Sequence, residues 1–592
     1  MNDHPSALET TLDRHWRSLT LLVWTVLVGW FLWQKWGAIG WLSLGDTDDN
    51  MRLMQVRGLL GGQDWYDLRQ YRLNPPDGFN IHWSRLVDLP IAGLILLLKP
   101  FLGIAWAERM AVGVAPLLPL AVTMGGLAFT VRRLVARTAW PLALIILTGA
   151  TAAMLMFMPL RIDHHGWQLA MLSLTVAGLA DDRGLRGGVL VGIASAISLT
   201  IGLEMLPYAA MAGAIVTLRW IVDGTEARRL MGYALTLGGG SAAGFAAFAS
   251  YDNVALRCDA LTPVWLSVVV AAGGLLTALA WANPASRGVR FGLAAAAGAA
   301  IATGFVLLFP QCLQRPEGVS DELARTWLNN VREARPIYLH PFRNAFPIAA
   351  LPVAGAIGAI VAVARAWRTE RFLAWATVAL FVTFATLLLL WQVRAGPVAQ
   401  LLAVPGATAL AWIVIPWCLG HRLILVRVLG SVSAFLVISG LFAGIALRWL
   451  PIDRPDKRSL TVNHAASRCG SLPAMRFLNR LPSTTLFTHV DIGPRLITLT
   501  HHKAVAGPYH RNGDAILDVH HGFQGSPERF LAKARAHGAT HLLTCPNLAE
   551  TTVYRARAPG GFYARLAKGE RFTFLTPVKL PKSSPFRLWR IE

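Results

Sequence analysis

The chain has 592 residues, of which 54% are apolar and 15% charged, whereas a soluble globular protein carries about 25% charge. Together with a mean hydropathy of +0.46, these figures exclude an ordinary cytosolic enzyme and a disordered chain, and they make lipid the main solvent. The net charge of +22 is the excess expected of cytoplasmic loops that obey the positive-inside rule, so nucleic acid is not an expected partner.

Arg14 and Arg17 precede an apolar run from Leu19 to Leu44. It is too long for a signal-peptide core and lacks a small-x-small cleavage site, so it predicts an uncleaved first helix with a cytoplasmic N-terminus. Further runs lie at about 109–130, 139–159, 167–180, 187–203, 205–221, 231–250, 263–281, 291–309, 346–364, 372–391, 397–417 and 425–447. They make about thirteen spans of the ~20 residues that a bilayer core requires. Arginines gather in alternate loops, for example Arg132, Arg133 and Arg137, then Arg183 and Arg186, then Arg365, Arg368 and Arg371. Those loops are expected in the cytoplasm. Loops of the other parity, at 46–88, 163–165, 251–262, 310–344, around Arg394 and after Leu450, then face outside. Leu89–Leu102 breaks the alternation and reads as a helix lying in the interface or dipping part way in.

The expected architecture is a polytopic α-helical membrane domain over residues 1–450, with a long first external loop (45–108), followed by a soluble domain over 451–592. From about Pro451 the composition mixes polar and apolar segments with Pro, His and Gly punctuation. Strand-like runs at Thr485–Val490, His541–Thr544 and Phe572–Leu575, with an amphipathic helix at Pro527–His537, predict an α/β unit.

Carboxylates near membrane depth are costly to keep charged and need a partner or a task. GDTDDNMR places Asp46, Asp48 and Asp49 beside Arg52; RIDHHGWQ holds Arg161, Asp163, His164 and His165; IGLEMLPY ends a span with Glu204. Oxygen and imidazole ligands from separate loops on one side of a membrane suit Mg²⁺ or Mn²⁺, which would neutralise a phosphate leaving group. Each motif also has a local reading: an N-cap for the Asp cluster, an ion pair for Arg161 with Asp163. Trp65, Tyr66 and Trp83 fit an interfacial aromatic belt better than a sugar-stacking surface. His501, His502, His510, His520 and His521 match no standard zinc spacing and read as exposed or core histidines. Five cysteines without a CxxC pair are too few for a disulfide scaffold. An oxidising compartment would allow a bond within Cys258 and Cys312 and within Cys469 and Cys545, a connectivity that spacing does not fix, and Cys418 reads as a buried thiol.

These motifs, in this order and topology, resemble the catalytic subunit of oligosaccharyltransferase and its bacterial and archaeal single-subunit relatives, which are GT-C fold membrane glycosyltransferases. In that family the first loop opens with an Asp followed six residues later by Arg, as Asp46 and Arg52 do here. An acidic DxD, DxE or DxH motif in the second external loop is matched by Asp163 and His165. NNVREARPI stands where the family carries a Glu that engages the acceptor, making Glu333 its counterpart, and WQVRAGP places Arg394 where an Arg contacts the donor phosphate. THVDIGPR keeps Asp491 and Gly493 of the family's WWDxG, which reads the acceptor sequon, but has His489 and Val490 in place of both tryptophans.

The resemblance implies a metal held by Asp46, Asp163 and His165, donor phosphate at Arg394, and Glu333 or Asp46 positioning or deprotonating the acceptor. Glu204, His164, Asp491 and Arg52 are possible substrate contacts, and Tyr509, His510, Arg511 and Asn512 possible acceptor contacts. The implied activity is inverting transfer of a sugar or oligosaccharide from a polyprenyl phosphate or diphosphate carrier to an extracytoplasmic protein, lipid or polysaccharide. The implied location is a bacterial inner membrane, with the C-terminal domain periplasmic. The alternative is a transporter or flippase of lipid-linked saccharides. Transporters place binding residues near the midplane, often with an internal repeat, and neither feature is visible here.

Overall fold

The computed structural model describes residues 6–450 and 456–592. The boundary expected at Pro451 lies outside the described residues. Among the described residues eight helices are long and apolar enough to cross a membrane, or nine if the bent pair Val426–Ile438 and Leu441–Trp449 is one span. Each of the thirteen apolar runs is helical, but several helices, such as Trp140–Gly149 and Phe372–Leu388, are short. The first, Trp16–Gly40, buries almost none of its length and exposes Leu21, Val26, Trp30 and Trp33. A helix apolar on faces that its own protein leaves uncovered is matched to lipid.

Two breaks shape this bundle. Gly103, at φ 69°, interrupts the helix Asp88–Val114, so Leu89–Leu102 is a helix of its own. Gly440, at φ 75°, turns the last pair through 100°, and a Cβ there would meet Leu351 at 3.0 Å, so both the backbone conformation and the space call for glycine. Helices Phe342–Arg365 and Gly396–Leu419 pack backbone to backbone. A Cβ on Gly358 would lie 2.1 Å from the Gly406 carbonyl oxygen. Close approach through small residues is a usual way for helices to associate where lipid removes the hydrophobic drive.

The first external loop is folded. Helix Thr47–Leu60 leads to a two-stranded ribbon, β1 (Arg69–Gln70) with β2 (Phe79–Asn80). Residues 456–592 build around a five-stranded sheet of β3 (Thr485–Phe487), β4 (Lys503–Ala504), β5 (His541–Thr544), β6 (Leu575–Val578) and β7 (Arg587–Ile591), in the order β4-β3-β5-β7-β6. The first three are parallel and β7 pairs antiparallel with β5 and β6. The helix expected from Pro527 runs to Ala536.

This sheet does not stand apart from the loop. Met51, Leu73, Phe79 and Trp83 share one apolar core with Met475, Leu486, Leu496 and Tyr509. The Asn74 and Ala504 amides donate to the Ala504 and Arg72 carbonyls, joining the loop to the sheet edge, and Arg57 donates to the Thr498 carbonyl. Both cysteine pairs form disulfides, Cys258 with Cys312 and Cys469 with Cys545, and Cys418 is a buried thiol.

Candidate functional site: carboxylates around one guanidinium

Asp46 caps helix Thr47–Leu60, its Oδ1 accepting the Thr47 amide at 2.6 Å, where the helix N-terminus favours negative charge. Asp49 lies in the first turn of that helix, fully buried, and its Oδ1 accepts the Asp163 amide at 3.1 Å. Asp163 precedes helix His165–Ala180 and its Oδ1 accepts the His165 amide at 3.1 Å. Two segments over 100 residues apart thereby meet, and at their junction lies Arg161. Its Nη1 donates to Oδ2 of Asp46 (3.1 Å) and of Asp49 (3.2 Å), and its Nη2 to Oδ2 of Asp163 (2.6 Å).

Negative charge is in excess. Burial pushes the Asp48 carboxyl well above its ordinary range, and the carboxylates of Asp46, Asp163, Glu333 and Asp49 push it further. Burial likewise raises Asp49, opposed by Arg161. Asp491, in the turn Val490–Ile492, is an exposed residue whose carboxyl is raised first by loss of solvation and then by the charge of Asp46. Asp491 donates its amide to Glu550. Glu333 sits exposed in the turn Arg332–Ala334, close enough to contribute to Asp48. Arg394 is exposed beside Arg335, whose carbonyl accepts the Val393 amide at 2.8 Å.

Beside this patch lies a second group. Glu204 Oε1 faces His164 Nε2 at 3.1 Å and His82 Nε2 at 3.7 Å, while Gln168 Nε2 donates to Oε2 at 2.9 Å. The His164 and His165 rings are 4.4 Å apart, linking this group to the first. Sequence reasoning missed His82 and Gln168. Gln168 had a signal, since it lies four residues after His164 on one helical face; His82 had none.

Three expectations are corrected. Arg52 is not a substrate contact: it is 1% exposed, paired with Asp88 at 2.9 Å and stacked over Trp83. Trp83 is not in an interfacial belt but buried between Arg52, His164 and Tyr509, and Trp65 and Tyr66 donate to the Ala247 and Ala246 carbonyls. Tyr509, His510 and Arg511 are docking groups. Tyr509 donates to the Thr47 carbonyl, and Arg511 forks onto both oxygens of Asp259 with His510 alongside. Asn512 is buried, with no hydrogen-bond partner for its side chain among the described residues. The tail histidines disperse, His501 and His502 to the Leu481 and Leu478 carbonyls and His521 to Glu322.

Among the described residues no three His, Cys, Asp or Glu side chains form a ready ligand set, and Arg161 stands between the three aspartates. The donor chemistry nonetheless fits a hard divalent cation: carboxylate oxygens of Asp46, Asp49 and Asp163 with the imidazole of His165 adjoining.

No family model matches the chain, and no curated protein matches it in sequence. Solved structures do. The chain is similar to an oligosaccharyltransferase of Archaeoglobus fulgidus in its apo form, with a TM-score of 0.66 at 13% identity, covering 95% of this chain and 73% of that one. For the Archaeoglobus fulgidus oligosaccharyltransferase in complex with Zn and sulfate the TM-score is 0.59 at 13% identity, covering 92% and 69%. For the oligosaccharyltransferase AglB from Archaeoglobus fulgidus in complex with an inhibitory peptide and a dolichol-phosphate, the TM-score is 0.63 at 12% identity, covering 96% and 73%. The chain therefore shares its fold, over nearly its whole length, with an archaeal oligosaccharyltransferase of the GT-C type.

Proposed function

We propose that this protein is a membrane glycosyltransferase. It moves a sugar or oligosaccharide from a polyprenyl phosphate or diphosphate carrier to an extracytoplasmic acceptor, with inversion at the anomeric carbon. The membrane is a bacterial inner membrane, crossed about thirteen times, with the N-terminus cytoplasmic and residues 451–592 periplasmic. The observation that carries the reading is the convergence of Asp46, Asp49 and Asp163 at one point, with Asp46 open to solvent. The shared fold supports it, as does the dolichol-phosphate in one complex of the archaeal enzyme.

In this reading Asp46, Asp163 and His165 would hold Mg²⁺ or Mn²⁺, which would supply stabilisation of negative charge on the leaving phosphate. Arg394, exposed and without a carboxylate partner among the described residues, adds a fixed positive charge beside that phosphate. Glu333 or Asp46 positions the acceptor nucleophile and takes its proton. The nucleophile bonds to the anomeric carbon as the carbon–oxygen bond to phosphate breaks, and the bonding pair leaves with the phosphate. Glu204, held on both oxygens by His164 and Gln168, is oriented to accept a sugar hydroxyl. Asp491 lines the acceptor side. The acceptor is protein, lipid or polysaccharide, and the loss of both family tryptophans beside Asp491 argues against strict reading of the usual sequon.

Mass spectrometry of surface glycoconjugates and lipid-linked saccharides in a deletion strain and its parent tests this. One missing product with accumulated carrier-linked donor is expected; identical profiles would overturn the assignment.

A further inference from the structure

The geometry points to Arg161 as a built-in competitor for the cation: its guanidinium holds the inward oxygens of Asp46 and Asp163 that a divalent metal would take, so metal binds as Arg161 leaves. The inference rests on the metal-assisted reading above and concerns a residue to which that reading gives no role.

The division of labour among the oxygens carries it. On each carboxylate, Oδ1 is engaged by a backbone amide: Thr47 on Asp46, Asp163 on Asp49 and His165 on Asp163. These bonds fix the carboxylates to the backbone whatever else is bound. Each Oδ2 is turned inward, and all three are held by Arg161 at 3.1, 3.2 and 2.6 Å. A cation drawing on Asp46 and Asp163 without breaking the backbone bonds must use oxygens that the guanidinium now holds.

The surroundings favour exchange over permanent pairing. One guanidinium faces three carboxylates, so a divalent ion offsets more of the charge than Arg161 does. Arg161 Nε is buried without a hydrogen-bond partner among the described residues, a cost that departure relieves. Gly45 makes the guanidinium's place, since a Cβ there would lie 3.1 Å from Arg161 Cδ and 3.2 Å from Asp49 Oδ2. Arg161 thus keeps the carboxylates assembled without metal and lowers apparent metal affinity by the fraction of time it occupies them.

The test uses the full-length protein in detergent and Mn²⁺ followed by electron paramagnetic resonance. Arg161→Gln is expected to bind Mn²⁺ at least about tenfold more tightly than wild type, the factor for a site that is open one tenth of the time. Arg161→Lys, with a single ammonium in place of the fork, is expected between them. Wild type alone supplies a second measurement: phenylglyoxal should modify Arg161 faster with Mn²⁺ than without, read by peptide mass spectrometry. Unchanged or weaker Mn²⁺ binding in Arg161→Gln, or equal or greater protection of Arg161 with Mn²⁺, overturns the competition while leaving the transferase reading intact. No Mn²⁺ binding by any of the three proteins overturns the competition and the metal step of that reading together.

Discussion

The external loops build two arginine–aspartate clusters with opposite stoichiometry, one within the first loop and one between the first and second. In one, Arg52 and Arg85 face a single Asp88, at 2.9 and 3.7 Å, and no member is more than 1% exposed. In the other, Arg161 faces three aspartates, and the Asp46 side chain is 49% exposed. The first is a sealed internal tie. Arg52 covers Trp83, and Arg85 donates to the Trp65, Asp64 and Asp67 carbonyls, so the pair fixes the path of the loop. The second is short of positive charge and open to solvent at Asp46. An ion-pair cluster that leaves charge uncompensated and accessible is arranged for something that arrives, whereas a closed one is arranged for the fold.

The contrast can be broken most forcefully at Asp46. Asp46→Ala is expected to reduce glycan transfer about 100-fold or more, the scale of losing one charge-stabilising group, with normal amounts of protein in the membrane. Asp88→Ala should do the reverse. It strands two buried guanidiniums and is expected to destabilise the protein by about 3–5 kcal/mol, measured by thermal unfolding in detergent. Transfer lost in Asp88→Ala at unchanged stability would erase the distinction between the clusters. Arg394→Gln is expected to lower transfer about tenfold, with Arg394→Lys recovering part of it, because the proposed contribution is mainly charge. A change of less than twofold in Arg394→Gln would remove it from the donor site.

The smallest effect concerns pH. Burial, reinforced by Asp491, raises the Glu550 carboxyl to about 8 in the folded protein. A raised carboxyl holds its proton more tightly when folded, so its contribution to stability is complete at acidic pH and is lost as pH rises through about 8. Thermal stability should therefore decline as pH rises from about 4.5 to about 8 and level off above it, and Glu550→Gln should flatten that decline. An equally steep decline in the variant would assign it to other groups.

What the sequence made legible follows the local physics. Asp46, Asp163 and Arg394 stood out because each lies in a short polar motif at the end of an apolar run, and the structure gives Asp46 and Asp163 the local roles such motifs also have, a helix cap and an ion pair with Arg161. Arg52 was misread because its six-residue spacing from Asp46 specifies a position in the loop but not its burial. Arg511 and His510 were misread because their partner, Asp259, lies some 250 residues earlier and belongs to no motif. In the sheet, β5 coincides with the expected strand, since its apolar run is buried between two neighbours. The strand expected at Phe572–Leu575 is instead β6, Leu575–Val578. It contains Pro577, tolerated because β6 is an edge strand, and its register is set by β7, which local sequence did not signal.

The most direct test of the central claim is Asp163→Asn as the sole copy in cells, followed by mass spectrometry of carrier-linked saccharide and of the final glycoconjugate. The substitution removes one charge at the junction and keeps the side chain's size. The account predicts accumulated carrier-linked donor and a missing product at normal protein level; parental amounts of both, with the variant inserted and folded, would contradict it.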